Sequence, residues 1–213
     1  MKRILPLVLL LLASAACLDD EPFLYRIILM GTPKANGTLL GDDGNTYSFP
    51  DATEFSWTKA PRLVTTLDVR EKTGENEYSA TMLEWKLPLY KNPVELTSGE
   101  VPDSLGIDEI SVADIWYAGG CLNMLNVIKV VLGSGEHRVD LMLDSREPYN
   151  DTLHFEIKHN YKDRDLYGAG NTDYVFYSSF PITQYMPQKD STVLEVKWRW
   201  DGQDGVKCGK VKI

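Results

Sequence analysis

Residues 138–144 read Arg-Val-Asp-Leu-Met-Leu-Asp, and residues 153–158 read Leu-His-Phe-Glu-Ile-Lys. In both stretches apolar side chains recur at every second position, and most of the side chains between them are charged. A period of two is typical of a β-strand that buries one face and exposes the other. Residues 194–200, Leu-Glu-Val-Lys-Trp-Arg-Trp, repeat the pattern. The chain is therefore predicted to be an all-β protein.

The C-terminal part of the chain, residues 110–213, contains further strand patterns. Residues 121–132 and 174–182 are rich in apolar and aromatic side chains, and the Asp/Gly-rich loop 201–205 precedes a final strand at 206–213. About six strands at this spacing predict an antiparallel β-sandwich. Two tryptophans have the same strand parity as the apolar positions of residues 194–200, so core packing is favoured for them over a sugar-stacking surface: Trp198 and Trp200.

The N-terminal part, residues 23–90, also has strand patterns. An apolar run at 23–30, a hairpin around the Asp/Gly loop 41–45 and alternating stretches at 63–70 and 83–87 give five strands. Five strands with a connection between the third and fourth predict an OB-like barrel. Residues 91–109 contain prolines, glycines and acidic side chains with little apolar periodicity, so they are predicted to be a linker between the two domains.

The first residues have the pattern of a secretory signal peptide. Lys2 and Arg3 precede an apolar run at 4–12, which is too short to span a bilayer, and the small residues 13–16 lead into Cys17. This order resembles a lipobox, in which the cysteine receives a diacylglycerol and becomes the new N-terminus after cleavage. We therefore predict a signal peptide at 1–16, a lipid on Cys17 and an outer-membrane lipoprotein of the cell envelope.

An acidic cluster follows this cysteine within the predicted tether, residues 17–22. Asp19, Asp20 and Glu21 resemble the signal that sends some lipoproteins of diderm bacteria to the cell surface. The alternative is a solvated acidic linker and a protein that faces the periplasm, because short acidic runs are common.

The charge of the chain limits its partners. Removal of residues 1–16 would leave 20 basic and 31 acidic side chains. A net negative charge opposes binding to phosphate backbones, so no nucleic-acid partner is expected. The expected partners are the membrane, through the lipid, and an unknown protein or glycan.

Two cysteines, Cys121 and Cys208, remain for other chemistry. The envelope is oxidising enough for a disulfide between them, while burial as two free thiols is the alternative. Three Asp-Ser/Thr triplets resemble acceptor sites for O-glycosylation in some diderm envelopes, although matches of three residues also arise by chance. Their hydroxyl residues are Ser104, Thr152 and Ser191.

Catalytic and metal signatures are missing from the sequence. The three histidines form no metalloprotease motif, and the chain has no nucleophile elbow. His159 is expected to be a hydrogen-bonded histidine at a strand end. We predict no enzyme activity, no cofactor and no metal. The candidate ligand-binding residues are aromatic side chains expected in loops, where binding residues are often found: Trp57, Trp116 and Tyr117.

Motifs distributed along the chain resemble the NigD-like family of bacterial lipoproteins. They are the lipobox with its acids, Gly41-Asp42-Asp43-Gly44, Pro102-Asp103-Ser104-Leu105-Gly106, the segment 114–123 from Asp-Ile-Trp-Tyr to Cys-Leu-Asn, and Glu156-Ile157-Lys158-His159-Asn160. The resemblance implies an OB-like domain followed by a β-sandwich. It supplies no catalytic residues.

Three functions are therefore open. A non-enzymatic binding module of the envelope is favoured. An immunity or accessory role for a secreted bacteriocin is implied only by the resemblance to the family. A carboxylate-based, glycan-processing enzyme is the least favoured, because it rests on the abundance of acidic residues alone.

Overall fold

The computed structural model describes residues 24–52, 56–131, 136–146, 151–161, 171–187, 191–200 and 206–212. Cys17, its acidic neighbours and the predicted signal peptide lie outside these ranges. The described residues form fourteen β-strands and three short 3₁₀ turns, with no α-helix among them. The five N-terminal strands close into a barrel and the remaining nine form two sheets, so the predicted fold class is confirmed.

The barrel contains strands β1 to β5 in the closed order β1-β2-β3-β5-β4, with β4 returning to pair with β1. A 3₁₀ turn, Ser56–Lys59, lies between the third and fourth strands, in the segment predicted to be irregular. The interior of the barrel contains Leu39, Leu63 and Leu67, all fully buried. The strands are β1 (Tyr25–Pro33), β2 (Leu39–Gly41), β3 (Thr46–Ser48), β4 (Leu63–Gly74) and β5 (Glu77–Lys86).

The loop between β2 and β3 is the predicted hairpin. Gly44 adopts a positive φ of 84°, a conformation that glycine accepts without a side-chain clash. Asp43 accepts hydrogen bonds from Asn45 and from the hydroxyl of Tyr47. These contacts fix the turn locally, because the carboxylate is used within the hairpin itself.

The second domain is a sandwich of two sheets. One has the order β14-β13-β11-β10-β7 and the other the order β6-β12-β9-β8. Their facing sides bury a continuous apolar core that includes Leu122, Phe155, Phe180 and Val196. The strands are β6 (Leu89–Tyr90), β7 (Val94–Leu96), β8 (Ser111–Ala118), β9 (Cys121–Val131), β10 (His137–Asp144), β11 (Thr152–Tyr161), β12 (Asn171–Pro181), β13 (Val193–Arg199) and β14 (Val206–Lys212).

The sandwich differs from the sequence prediction in two respects. It is mixed rather than purely antiparallel, because β10–β7, β11–β13 and β12–β6 are parallel pairs. The predicted linker at 91–109 is instead part of the sandwich: β7 pairs with residues 142–144 of β10, and a 3₁₀ turn at Asp103–Leu105 buries Leu105. Strands this short leave no periodicity in the sequence.

The two edges of the sandwich are unlike each other. On one side β14 of the first sheet contacts β8 of the second, which closes the sandwich. On the other side β7 pairs only with residues 142–144 of β10, and β6 pairs only with Ser178 and Ser179 of β12. The remainder of β10 and β12 therefore borders an opening on this second side.

A buried polar cluster joins the barrel to the sandwich. Arg62, only 1% exposed, donates hydrogen bonds to Thr32 (2.8 Å) and Asp42 of the barrel and to the amide oxygen of Asn123 on β9 (3.3 Å). Trp116 on β8 donates its indole N–H to the same Asp42 carboxylate at 2.7 Å. The ion pair of Arg62 and Asp42 in the barrel is thus hydrogen-bonded to two side chains of the sandwich, and this links the two domains.

The direction of β1 relates this interface to the N-terminus. Thr32, near the end of β1, contacts Arg62 at the interface, whereas Tyr25 at its start pairs with Val69 on β4. Because a strand rises by about 3.3 Å per residue, the start of β1 lies roughly 23 Å from the interface. The chain therefore enters the barrel at the end that faces away from the sandwich.

Candidate binding groove

The opening on the second side of the sandwich is a groove of about 260 Å³. Its floor is apolar, formed by Leu89, Ile128 and Val139, and Leu87 contributes an exposed side chain. Apolar concave surfaces with a few polar groups are typical of ligand sites. This groove is the candidate functional site.

Strand β12 supplies the aromatic wall of the groove. Its residues 174–177, Tyr-Val-Phe-Tyr, all line the opening. Tyr174 stacks on Phe176 with ring centroids 5.9 Å apart, and it remains 54% exposed. Val175, on the opposite face of the strand, is 52% exposed. The strand thus leaves large apolar side chains partly uncovered on both of its faces.

Lys86 provides a positive charge at the groove. It is the last residue of β5, in the exposed end of that strand, and its ammonium lies 5.4 Å from the centroid of the Tyr177 ring, within the range of a cation–π interaction. A cation beside aromatic rings suits a ligand that carries negative charge or presents a flat, polar face. The side chain comes from the barrel and the ring from the sandwich, so the groove uses both domains.

His137 also lines the groove and is the end of a hydrogen-bonded chain. Nδ1 of His159 lies 2.8 Å from the carbonyl of Glu109, which can only accept, so this nitrogen carries the proton. Nε2 of the neutral His159 ring then accepts from Nδ1 of His137 at 2.9 Å. Nε2 of His137 is left as a buried acceptor with no hydrogen-bond partner among the described residues.

Both histidines are held neutral by their surroundings. Burial lowers the pKa of His159, and the neighbouring His137 lowers it further, against the Glu109 carbonyl and Asp108, which raise it. Burial likewise lowers the pKa of His137, against the charge of Asp108. The His137 and Tyr161 rings stack with centroids 4.4 Å apart. The prediction of a hydrogen-bonded His159 is confirmed.

These pKa shifts predict a pH dependence of stability. The pKa of each ring in the folded protein is below its usual value of 6.5. As the pH falls, the unfolded chain therefore takes up protons before the folded chain does. The stability is therefore complete above about pH 6.5 and declines below it. Urea unfolding between pH 5 and pH 8 should show this decline in the wild type and a weaker decline in His159→Gln. His154→Gln is the control, and an equal effect of both substitutions would contradict the assignment.

The aromatic residues predicted for binding are not in the groove. Trp57 lies in the barrel core, 4% exposed, with its ring 5.5 Å from that of Phe49 in an edge-to-face contact. The indole N–H of Trp116 is hydrogen-bonded to Asp42 at the domain interface. Tyr117 packs against the sandwich core. Tertiary packing buries Trp57 and half-buries Trp116 and Tyr117, whereas β12 leaves its own aromatics more open. A binding role for the three predicted residues stays a prediction.

The other predicted positions have separate outcomes. Ser104 and Ser191 are exposed and Thr152 is half-buried, so the glycosylation of these residues stays a prediction. Cys121 is a buried free thiol, and its strand parity matches that of Asn123, away from the sheet that contains β14. The side chain of Cys208 lies outside the described part of the structure, so the disulfide between the two cysteines stays a prediction. Trp198 lies in the sandwich core as predicted.

The described residues contain neither a metal site nor a membrane-spanning helix. Among the described residues, no group of three or more His, Cys, Asp or Glu side chains could hold a metal ion. Asp42 and Asp43 of the hairpin, which could have been calcium ligands, are hydrogen-bonded to protein groups instead. The part of the chain that the structure describes contains no apolar helix of membrane-spanning length.

A family model described as the NigD-like C-terminal beta sandwich domain matches residues 92–208, which is more than half of the chain. The chain belongs to the NigD-like family. The match begins at Asn92, ahead of β7, which agrees with the placement of this strand in the sandwich. No curated protein matches this NigD-like chain.

Solved structures share the fold of this NigD-like protein over both domains. A protein of unknown function from Bacteroides vulgatus has a TM-score of 0.67 at 16% identity, covering 89% of this chain and 91% of its own. A NigD-like immunity protein from Bacteroides caccae has a TM-score of 0.59 at 18% identity, with coverages of 89% and 92%. A candidate lipoprotein from Bacteroides fragilis has a TM-score of 0.62 at 9% identity, with coverages of 88% and 97%. Identities this low show the fold alone.

Proposed function

We propose that this NigD-like protein is a non-enzymatic binding protein of the cell envelope and that the groove beside β12 is its binding site. The observation that carries the proposal is the aromatic wall of the groove, in which Tyr174 and Val175 are more than half exposed. Monomeric proteins rarely leave neighbouring large apolar residues this open unless the surface has a partner.

The position of the groove supports a binding role. Its walls belong to β9, β10 and β12, which are firmly paired strands, so the aromatic side chains project from a rigid scaffold. A preformed site loses little conformational entropy on binding. The two imidazoles at its edge are neutral, and neither has a serine, cysteine or carboxylate hydrogen-bonded to it in the described contacts. This arrangement suits binding better than nucleophilic chemistry.

The binding role is tested with the soluble chain from Asp19 onward. We expect this protein to bind a glycan on an array or an envelope protein captured by cross-linking, and we expect Tyr174→Ala to lower that binding at least tenfold. Ile28→Ala, which truncates an equally exposed apolar residue of the barrel, is the matched control. Binding that both variants retain would place the site elsewhere.

We also propose that the protein is anchored to the outer membrane through a lipid on Cys17 and faces the cell surface. The lipobox pattern and the acids after it support this, and one protein of the same fold is a candidate lipoprotein. The Cys17→Ser precursor is expected to leave the membrane fraction, while Cys121→Ser should remain in it. A Cys17→Ser protein that still sediments with membranes would refute the anchor.

A second function is an immunity or accessory role toward a secreted bacteriocin. One structural relative is described as a NigD-like immunity protein, and the groove could then hold a toxin segment. A gene for a small secreted toxin beside this one, with protection of sensitive cells on expression of the protein, would favour this role. Protection should then be lost in Tyr174→Ala.

A further inference from the structure

Strand β12 has a free edge along most of its length. Its antiparallel partner β9 covers one side from Asn171 to Pro181, whereas β6 covers the other side only at Ser178 and Ser179. From Asn171 to Tyr177, no described residue pairs with this second side. Every second residue of an edge strand points its backbone N–H and C=O groups away from the sheet, so these groups can pair with another strand.

Strand β6 pairs with this edge of β12 over two residues only. Leu89 and Tyr90 pair in parallel with Ser178 and Ser179, which shows that the edge accepts a strand. Pro88 comes immediately before them and has no N–H to donate, and the chain before it belongs to the barrel. The pairing therefore ends after two residues, and the remaining edge is continuous with an existing ladder.

The side chains of this edge lack the usual protection against pairing. Natural edge strands are commonly blunted by lysine, proline or inward-pointing charge. Here the only charged residue from Asn171 to Tyr177 is Asp173, which lies opposite Lys129 on β9. Tyr174 and Val175 project from opposite faces and are both more than half exposed, so an added strand would find apolar cross-strand partners on each face.

One end of the free edge has a positive charge although the protein as a whole is acidic. The chain has a formal charge of −9, yet the ammonium of Lys86 lies over the Tyr177 ring at this end and lines the groove. This ammonium group favours an acidic side chain on a ligand. The local charge therefore selects a segment that combines apolar with acidic residues.

We propose that the free edge of β12, from Asn171 to Phe176, binds an extended polypeptide segment with alternating apolar and acidic residues by β-strand addition. Backbone hydrogen bonds supply affinity, Tyr174 and Phe176 contact the apolar side chains on one face of the added strand, and Lys86 contacts an acidic side chain on the other face. This inference rests on the proposed binding function and names the ligand class of the same groove.

The test uses the chain from Asp19 onward and a fluorescein-labelled hexapeptide of alternating valine and glutamate. Fluorescence anisotropy is expected to show saturable binding. A peptide methylated on alternate backbone nitrogens loses the donors of one edge, and we expect it to bind at least tenfold more weakly. If the methylated and unmethylated peptides bind equally, strand addition is refuted.

Variants of the protein locate the site. Val175→Glu places a charge of the same sign as the peptide's glutamates on the edge at an exposed position and should weaken the peptide at least tenfold, while Ile28→Glu on the barrel should not. Lys86→Glu should weaken the valine–glutamate peptide and improve a valine–lysine peptide. Equal thermal midpoints of all three variants and the wild type show that folding is intact, and peptide affinity unchanged in Val175→Glu would overturn the proposal.

Other occupants give different results. Groove-dependent binding of glycans without peptide binding would overturn the strand-addition proposal and leave the binding function in place. A dimer in sedimentation velocity that Val175→Glu dissociates, without peptide binding, would identify a second copy of the chain as the occupant and would also overturn it. If Tyr174→Ala alters no binding at all, both proposals fail.

Discussion

The Arg62→Met variant is expected to unfold with a free energy about 3–5 kcal/mol below that of the wild type, because it leaves the carboxylate of Asp42 without its charged partner inside the domain interface. Trp116 alone would then hydrogen-bond this carboxylate. Burying an unpaired charge is among the largest penalties that one substitution can cause. Urea unfolding, followed by tryptophan fluorescence and by circular dichroism, measures the loss.

Two further variants make this prediction specific. Arg26→Met removes an ion pair with Asp68, but the Arg26 side chain is 55% exposed and Arg70 also stabilises the charge of that carboxylate, so the unfolding midpoint should move much less. Arg62→Met combined with Asp42→Leu should recover part of the stability, because an apolar pair leaves no buried charge. An Arg62→Met protein as stable as Arg26→Met would show that the cluster does not hold the domains together.

The second large effect is expected for Trp57→Ala, which should cost about 3–5 kcal/mol of stability because it empties a large part of the barrel core. Trp57 contacts Phe49 and is almost completely buried. The same substitution should leave ligand binding unchanged in protein that remains folded at low temperature. This outcome separates a core residue from a binding residue.

Trp85→Ala is the matched control in the same barrel. Trp85 is 45% exposed near the end of β5, and its truncation should change the stability by no more than about 0.5 kcal/mol. If Trp57→Ala were as mild as Trp85→Ala while abolishing binding, the sequence-based interpretation of Trp57 as a binding residue would be correct after all.

The strand patterns predicted the architecture because most strands bury one face only. Residues 152–161 and 193–199 alternate in burial much as they alternate in polarity, and the hairpin at 41–45 has the glycine that its turn requires. Residues 139–143 of β10 are buried on both faces instead, because Arg138 and Lys91 pair with the buried Asp140. Local chemistry and tertiary structure agree at the alternating strands and the hairpin, so the sequence alone was sufficient for the fold class.

The shortest strands could not be predicted from sequence. The two residues of β6 and the three of β7 are too few for a periodicity, and each strand exists because a longer strand, β12 or β10, offers it an edge. Their partners are about fifty to ninety residues away along the chain. Pairing between residues this far apart leaves no local pattern in the sequence. The proline-rich composition therefore favoured a linker instead.

The groove could not be predicted for a related reason. Residues 174–177 form a continuous apolar run, which equally suits a strand buried on both faces. Their exposure follows from the pairing of β6, which begins only at Leu89 opposite Ser178, and not from their own composition. The sequence signal that could have drawn attention to them is this absence of alternation in a domain in which β11 and β13 alternate clearly.

The direction of β1 has a consequence for the position of the two domains relative to the membrane. With the proposed lipid on Cys17, the seven-residue step from Cys17 to Leu24 reaches at most about 25 Å, so the start of β1 stays close to the bilayer. The barrel would then hold the sandwich away from the membrane by up to about 23 Å, the length of β1 from Tyr25 to Thr32. Much of the groove would stand above the lipid headgroups, within reach of molecules that arrive from the surrounding medium.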